Sequence, residues 1–157
     1  MGARLQEEIK QNKPFSGLEQ ETILNIHRTS GLMLHLIQQI LKPRGLTAPQ
    51  YNVLRILRGA GEPGLRCSEI GERMVSRDPD ITRLLERLER EALIERHRND
   101  RDRRVVYSRI TSAGLEVLAQ LDPVVDASAK SMLGHMTEEK LRCLIELLEE
   151  IRQGIAA

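Results

Sequence analysis

The sequence predicts a mainly α-helical domain that carries one small β-hairpin. Three observations lead there. Apolar residues recur at i, i+3 and i+4 over most of the 157 residues, as in Met33, Leu36, Ile37, Ile40 and Leu41. The apolar period changes from 3.6 to 2 only once, in the segment 93–110. Aromatic residues are 2% of the chain, with Phe15, Tyr51 and Tyr107 the whole set, so Leu and Ile must fill the core, which suits helix-on-helix packing. A chain of this length buries roughly 70% of its unfolded surface, and one domain over residues 1–157 is expected.

The elements follow in order. Residues 1–15 are polar, contain Asn12, Lys13 and Pro14, and keep no period, so they read as a loose arm. Ser16-Gly17-Leu18-Glu19 has capping-box spacing, which opens a long helix to about Lys42 that Pro43 and Gly45 stop. Thr47-Ala48-Pro49-Gln50 repeats that spacing with Gln as the returning group. It opens a second helix carrying Tyr51, Val53, Leu54, Ile56 and Leu57, ended by Gly59, Gly61, Pro63 and Gly64. A short helix over Ser68–Val75 follows, capped by Ser68 or by no side chain at all.

The next helix is entered through Asp78-Pro79, Asp as cap and Pro at the first helical position. Ile81, Leu84, Leu85, Leu88 and Ala92 form its apolar stripe, with Thr82, Arg83, Glu86, Arg87 and Arg90 opposite. Leu93–Arg98 and Val105–Ile110 then alternate as two strands around a charged tip. Thr111 caps a helix to about Leu121, where Asp122-Pro123 kinks or restarts it. Thr137 begins a last helix with the stripe Leu141, Leu144, Ile145, Leu148 and Ile151.

Two helices joined by a turn and followed by a hairpin make a winged helix-turn-helix. The hairpin stretch RHRNDRDRRVVYSRIT, residues 96–111, holds six arginines against two aspartates, in a chain whose formal net charge is only +1. Positive charge gathered in this way points to an anionic partner. A charged tip standing alone would ordinarily be just a solvated turn; the helix-turn-helix beside it favours the binding reading.

Several motifs now fall in one order: Leu46-Thr47 with Gln50, Ser68-Glu69-Ile70-Gly71, the run Asp80 to Glu89, the tip Asp100-Arg101-Asp102-Arg103-Arg104, and Ile110-Thr111-Ser112-Ala113-Gly114. Across residues 46–118 the chain closely resembles the multiple-antibiotic-resistance regulator (MarR) family of transcription factors, and its flanking helices resemble that family's by position. The resemblance implies a dimeric, sequence-specific DNA-binding regulator, a repressor relieved by a small-molecule effector. In such a protein residues 46–111 read DNA, and the helices over 16–43 and 112–155 intertwine with a second copy.

The resemblance also implies that the second reader helix enters a major groove while the wing tip reaches the neighbouring minor groove. DNA-binding residues are then expected at Arg77, Asp80, Thr82, Arg83 and Arg87 around that helix, and at Arg101, Asp102, Arg103 and Arg104 on the wing. Arg104 is the residue expected to insert, with Asp102 bonding its guanidinium to set its angle, because this Asp-x-Arg pair is the family's wing device. Asp80 has two readings, helix cap or acceptor from a cytosine amino group, and the sequence does not choose between them. Glu86, Glu89 and Glu91 interleave with Arg87 and Arg90 as ordinary solvated pairs.

In this family small molecules, often anionic or aromatic, bind between the dimer helices and the reader. His27, Arg28, His35 and Tyr51 are the candidate lining here. The partners expected are a pseudo-palindromic duplex, a second copy of the chain and a small-molecule effector, with no membrane.

Other classes find less support. No nucleophile–base–orienter set, phosphate-cradling glycine loop or carboxylate pair suggests an enzyme. Neither cofactor nor metal is expected, since His27 and His35 gain no third ligand and Cys67 and Cys143 match no metal spacing. No apolar run approaches the about 20 residues of a membrane span, and no signal or acylation motif stands at the start, so a cytoplasmic protein with reduced thiols is expected. Two alternatives stay open. One is a winged helix that docks proteins without sequence-specific DNA binding. The other is a thiol-based redox-responsive regulator using Cys67, against the reading of that cysteine as a small buried residue.

Overall fold

The computed structural model describes residues 3–76, 80–99 and 102–156. Its helices are α1 (Ala3–Glu8), α2 (Leu18–Leu41), α3 (Ala48–Ala60), α4 (Cys67–Arg73), α5 (Ile81–Arg90), α6 (Ser112–Leu133) and α7 (Glu138–Ala156), with the antiparallel strands β1 (Ile94–Arg98) and β2 (Val106–Ile110) between α5 and α6. This is the expected mainly helical architecture with one hairpin.

The core lies in the centre of the chain. Leu54 and Leu57 of α3, Ile70 of α4, Leu85 and Leu88 of α5, Ile94 of β1 and Leu118 of α6 are each at most 2% exposed. Every such side chain contributes about 1.5–3 kcal/mol over its exposed state. Leu41 at the end of α2 and Leu46 close the same core. The long helices α2 and α6 therefore join the reader at one end only.

Local signals explain most boundaries. Thr47 Oγ1 accepts from the Gln50 N–H while Gln50 Oε1 accepts from the Thr47 N–H at 2.9 Å, so the expected box opens α3. Thr111 caps α6 by accepting from the Gly114 N–H at 3.1 Å. After α2 a single 3₁₀ turn, Lys42–Arg44, ends at Gly45, whose φ of 69° is the left-handed conformation that a β-carbon disfavours. Gln38 then ties α2 to the next segment, donating to the Leu46 carbonyl at 3.0 Å and accepting from the Ala48 N–H.

Several expectations are corrected. The arm is not loose throughout: Ala3–Glu8 is helical and Leu5 is 5% exposed. Ser16 forms no box with Glu19. Its N–H donates to Gln20 Oε1 at 2.8 Å, and Gly17 is the residue at the start of α2. Ser68 does not cap α4: the residue at its start is Arg66, whose side chain makes no cap hydrogen bond, as the second alternative had it, while its N–H donates to the Glu69 carboxylate at 2.7 Å. Asp78-Pro79 lies outside the described residues, and the cap of α5 is Asp80. Pro123 stands inside an unbroken α6, because Leu121 and Val125 on either side of it pack on the reader core and hold the helix together across the missing N–H.

The hairpin gains a third edge. Leu65, just before α4, pairs with Ser108 of β2, donating at 3.0 Å and accepting at 2.8 Å. Gly64 permits this approach: its φ is 95°, and a β-carbon there would stand 2.2 Å from the Ser108 carbonyl oxygen.

Candidate nucleic-acid interface

Helix α5 buries Leu84, Leu85 and Leu88 and turns its other side outward. Thr82 and Arg83 stand exposed on the first turn, with Arg87 half-buried and Arg90 exposed on the following ones. The Asp80 carboxylate accepts from the Arg83 N–H at 3.1 Å, so the structure gives this side chain the capping role. The start of α4 meets the same turn, where Cys67 Sγ lies 3.7 Å from Thr82 Oγ1. Among the described residues Arg83, Arg87 and Arg90 form no ion pair, which corrects the expected ladder of solvated pairs. Glu89 turns instead to Arg96 of β1, at 3.6 Å.

The wing sorts the five described arginines of the stretch by task. Arg96 is half-buried in its pair with Glu89, and Arg109 is held by Glu95 and Glu62. These two are structural. Arg98, Arg103 and Arg104 stand exposed. Arg101 lies outside the described residues, as does Arg77.

The tip is a tightly bonded turn. The Asp102 N–H donates to Asn99 Oδ1, and the Val105 N–H to the Asp102 carbonyl, each at 3.0 Å. Asp102 Oδ1 accepts from the Arg104 backbone N–H at 3.0 Å, whereas the Arg104 Nε stands 3.9 Å away on a side chain 96% exposed. Asp102 therefore grips Arg104 by its backbone more closely than by its guanidinium. A hydrogen-bonded turn presenting exposed guanidinium groups can bond phosphates or the acceptors of a narrow minor groove.

Behind the reader a cleft of about 670 Å³ opens between α2, α3 and α6, lined by Leu34, His35, Tyr51, Asn52, Arg55 and Val125 among others. His35 and Tyr51 thus share one site. His27 and Arg28 do not join them; they line a separate depression with Ile9 and Leu32, and Arg28 Nε is 3.9 Å from Glu8. Arg55, which the sequence reading missed, lies with its guanidinium 5.8 Å from the centre of the Tyr51 ring and forms no ion pair among the described residues. Its position one turn beyond Tyr51 on α3 was the available signal.

Below the cleft the Tyr51 hydroxyl donates to Asp122 Oδ1 at 2.6 Å, and Arg58 pairs with the other oxygen. Burial, then the bond to a carboxylate, pushes the Tyr51 hydroxyl up to about 12. Burial works against ionised Asp122 as well, but the Tyr51 and Arg58 hydrogen bonds outweigh it and hold its carboxyl below the ordinary value.

Among the described residues, no three His, Cys, Asp or Glu side chains converge as metal ligands, and no helix is long and apolar enough to cross a membrane.

A reading helix mounted beside an arginine-tipped hairpin, between long outer helices, defines a winged helix-turn-helix transcriptional regulator. The family model described as MarR matches residues 46–106. A MarR transcription factor from Planctomyces limnophilus of known structure is 38% identical, over 87% of this chain and 98% of that one, with a TM-score of 0.67. The chain belongs to the MarR family. The homoprotocatechuate degradative operon repressor of Escherichia coli is 29% identical over 111 residues, 71% of this chain and 74% of the repressor. The fold is also that of S. aureus MepR in its DNA complex, at a TM-score of 0.76 and 22% identity over 82% of this chain and 94% of that one.

Proposed function

We propose that the protein is a dimeric, sequence-specific DNA-binding repressor of the cytoplasm, relieved when a small molecule enters the cleft beside Arg55. The observation that carries the DNA reading is the set of arginines turned outward on α5 and at the wing tip, of which Arg83, Arg87, Arg90 and Arg103 form no ion pair among the described residues, in a chain of formal net charge +1. Thr82 and Arg83 are assigned to the major groove, Arg87 and Arg103 to phosphates, and Arg104 to the minor groove. Arg77 and Arg101 are assigned to the same surface from the sequence alone. Asp80 and Asp102 shape the two elements.

Two copies are needed to read a palindrome, and the outer helices supply the contact. Residues 46–111 form the reader, and the helices over 16–43 and 112–155 carry dimerisation. Leu32, Leu34 and Leu36 on α2 and Ile145, Leu147 and Ile151 on α7 are exposed in the single subunit. Repression is supported by the E. coli relative, which is a repressor. The largely apolar cleft, with one guanidinium that forms no ion pair among the described residues, supports a small effector with a flat apolar body and an anionic group.

Selection from a randomised duplex pool, followed by fluorescence anisotropy and sedimentation, tests this reading. The expected result is a dimer on a pseudo-palindrome with half-site centres roughly 10 bp apart. Arg104→Ala should cost about 1–3 kcal/mol of specific binding and lower the logarithmic salt slope by about one for each phosphate no longer neutralised. A chain that stays monomeric and enriches no sequence is instead a protein-docking module.

A further inference from the structure

Arg109 belongs to the arginine-rich stretch by sequence but not by position. On β2 it stands opposite Glu95 of β1, its Nε donating to Glu95 Oε1 at 2.5 Å. Its Nη1 donates to Glu62 Oε1 at 2.7 Å, and Glu62 sits in the turn between α3 and α4. One guanidinium thus joins both strands of the wing to the segment that leads into the reader.

Two neighbouring ties run the same way. Leu65 pairs with Ser108 through the backbone, and the Arg66 guanidinium lies 5.7 Å from the centre of the Tyr107 ring, which stacks on His97. Segment 62–66 continues directly into α4, whose first residue, Cys67, touches Thr82 of α5. The wing and the reading helix therefore share one mount. A two-stranded hairpin has little stability of its own, so its angle to α5 depends on these ties together with the Arg96–Glu89 pair.

Ion pairs this exposed add little to folding: the Glu62 side chain is 72% exposed and that of Arg109 39%. Their geometric effect is larger, because α5 and the wing tip must reach adjacent grooves at once. We propose that Arg109 is a positioning residue, clamped between Glu62 and Glu95 so that the wing stands at a fixed angle to α5. DNA affinity then depends on Glu62, a carboxylate that would repel the phosphates if it acted by charge alone. The inference rests on the DNA reading above.

The test compares Glu62→Gln, Arg109→Gln and the double variant in the full chain, on a duplex selected with the wild-type protein. Each single variant should bind about three- to tenfold more weakly, the scale of returning orientational freedom to one element. The salt slope should not change, since every phosphate keeps its cation. The double variant should be no weaker than Arg109→Gln alone, and exchange of the A·T pairs beneath the wing should matter less to all three variants than to wild type.

Tighter binding by Glu62→Gln overturns the proposal, as does a salt slope lowered by about one per subunit in Arg109→Gln, because Arg109 would then neutralise a phosphate itself. Unchanged affinity in both single variants overturns it too. A wild-type protein that enriches no duplex overturns the DNA reading and this inference together, which is a different result from a wild type that binds and variants that do not respond.

Discussion

Replacing Asp102 by Ala and by Asn separates what its charge does from what its shape does. The carboxylate sits on the surface proposed to meet phosphates, where its removal would relieve a repulsion. At about 10 Å and the dielectric constant of water that repulsion is about 0.4 kcal/mol per phosphate, and salt near 0.1 M reduces it by roughly a further factor of three.

Against this stands the bond from the Arg104 N–H to Asp102 Oδ1 at 3.0 Å, one of the bonds that close the turn. Losing it removes about 0.5–1.5 kcal/mol of order that DNA binding must then restore. Two wings double that to about 1–3 kcal/mol, so Asp102→Ala should bind roughly 5- to 150-fold more weakly despite its added net positive charge. Asn keeps an oxygen for the Arg104 N–H and drops the charge, so Asp102→Asn should bind within about twofold of wild type or slightly tighter. The assay is fluorescence anisotropy at matched salt. Tighter binding by Asp102→Ala would refute the turn argument, and Asn as weak as Ala would transfer the role to the guanidinium pair at 3.9 Å.

Two further outcomes follow from the scaffold. The Asp122 carboxyl lies below its ordinary value, so the stability it lends is present above about pH 4 and is lost as pH falls through the depressed folded value. Asp122→Asn should therefore melt below wild type at neutral pH, with the gap closing in acid; a gap of the same size at both ends would show that ionisation is not involved. Gly64→Ala places a β-carbon 2.2 Å from the Ser108 oxygen at a φ of 95°, and should cost at least about 1–3 kcal/mol in urea unfolding. An unchanged midpoint would mean that Leu65 and Ser108 need not pair.

Local chemistry was readable wherever the determining residues are neighbours in the chain. The Thr47–Gln50 box, the Thr111 cap and the Leu84, Leu85 and Leu88 part of the α5 stripe each need only four or five consecutive residues, and each stands as the spacing indicates, whereas Ala92 falls beyond the end of α5, exposed and at a φ of 57°. Features that depend on distant partners were not readable. The arginine stretch looked uniform, yet Glu62, 47 positions away from Arg109, and Glu89 decide which of its members are already engaged. His27 and His35 were grouped because helical residues eight apart lie near one face, but about 12 Å of helix separates them, and each falls in a different depression. Arg55 stands one turn beyond Tyr51 on α3, so its contact with that ring is local, but that the pair lines a cleft is a tertiary fact. The helical Ala3–Glu8 segment has too few residues to display a period, and the burial of Leu5 is a tertiary event.

Helix α7 has 19 residues, and none of them is buried within its own subunit. Most of a helix's stability in a protein comes from packing its apolar face and little from propensity. In the proposed dimer, whatever covers Leu144, Ile145 and Ile151 would lend α7 its order, and forming the dimer and completing the fold would become a single equilibrium. Cellular abundance would then enter the proposed repression twice: it would set how much protein meets the operator, and it would set what fraction of that protein has finished folding. A subunit made in excess of partners would expose its C-terminal segment to proteases first, so the pool of regulator would be trimmed toward assembled pairs with no dedicated control.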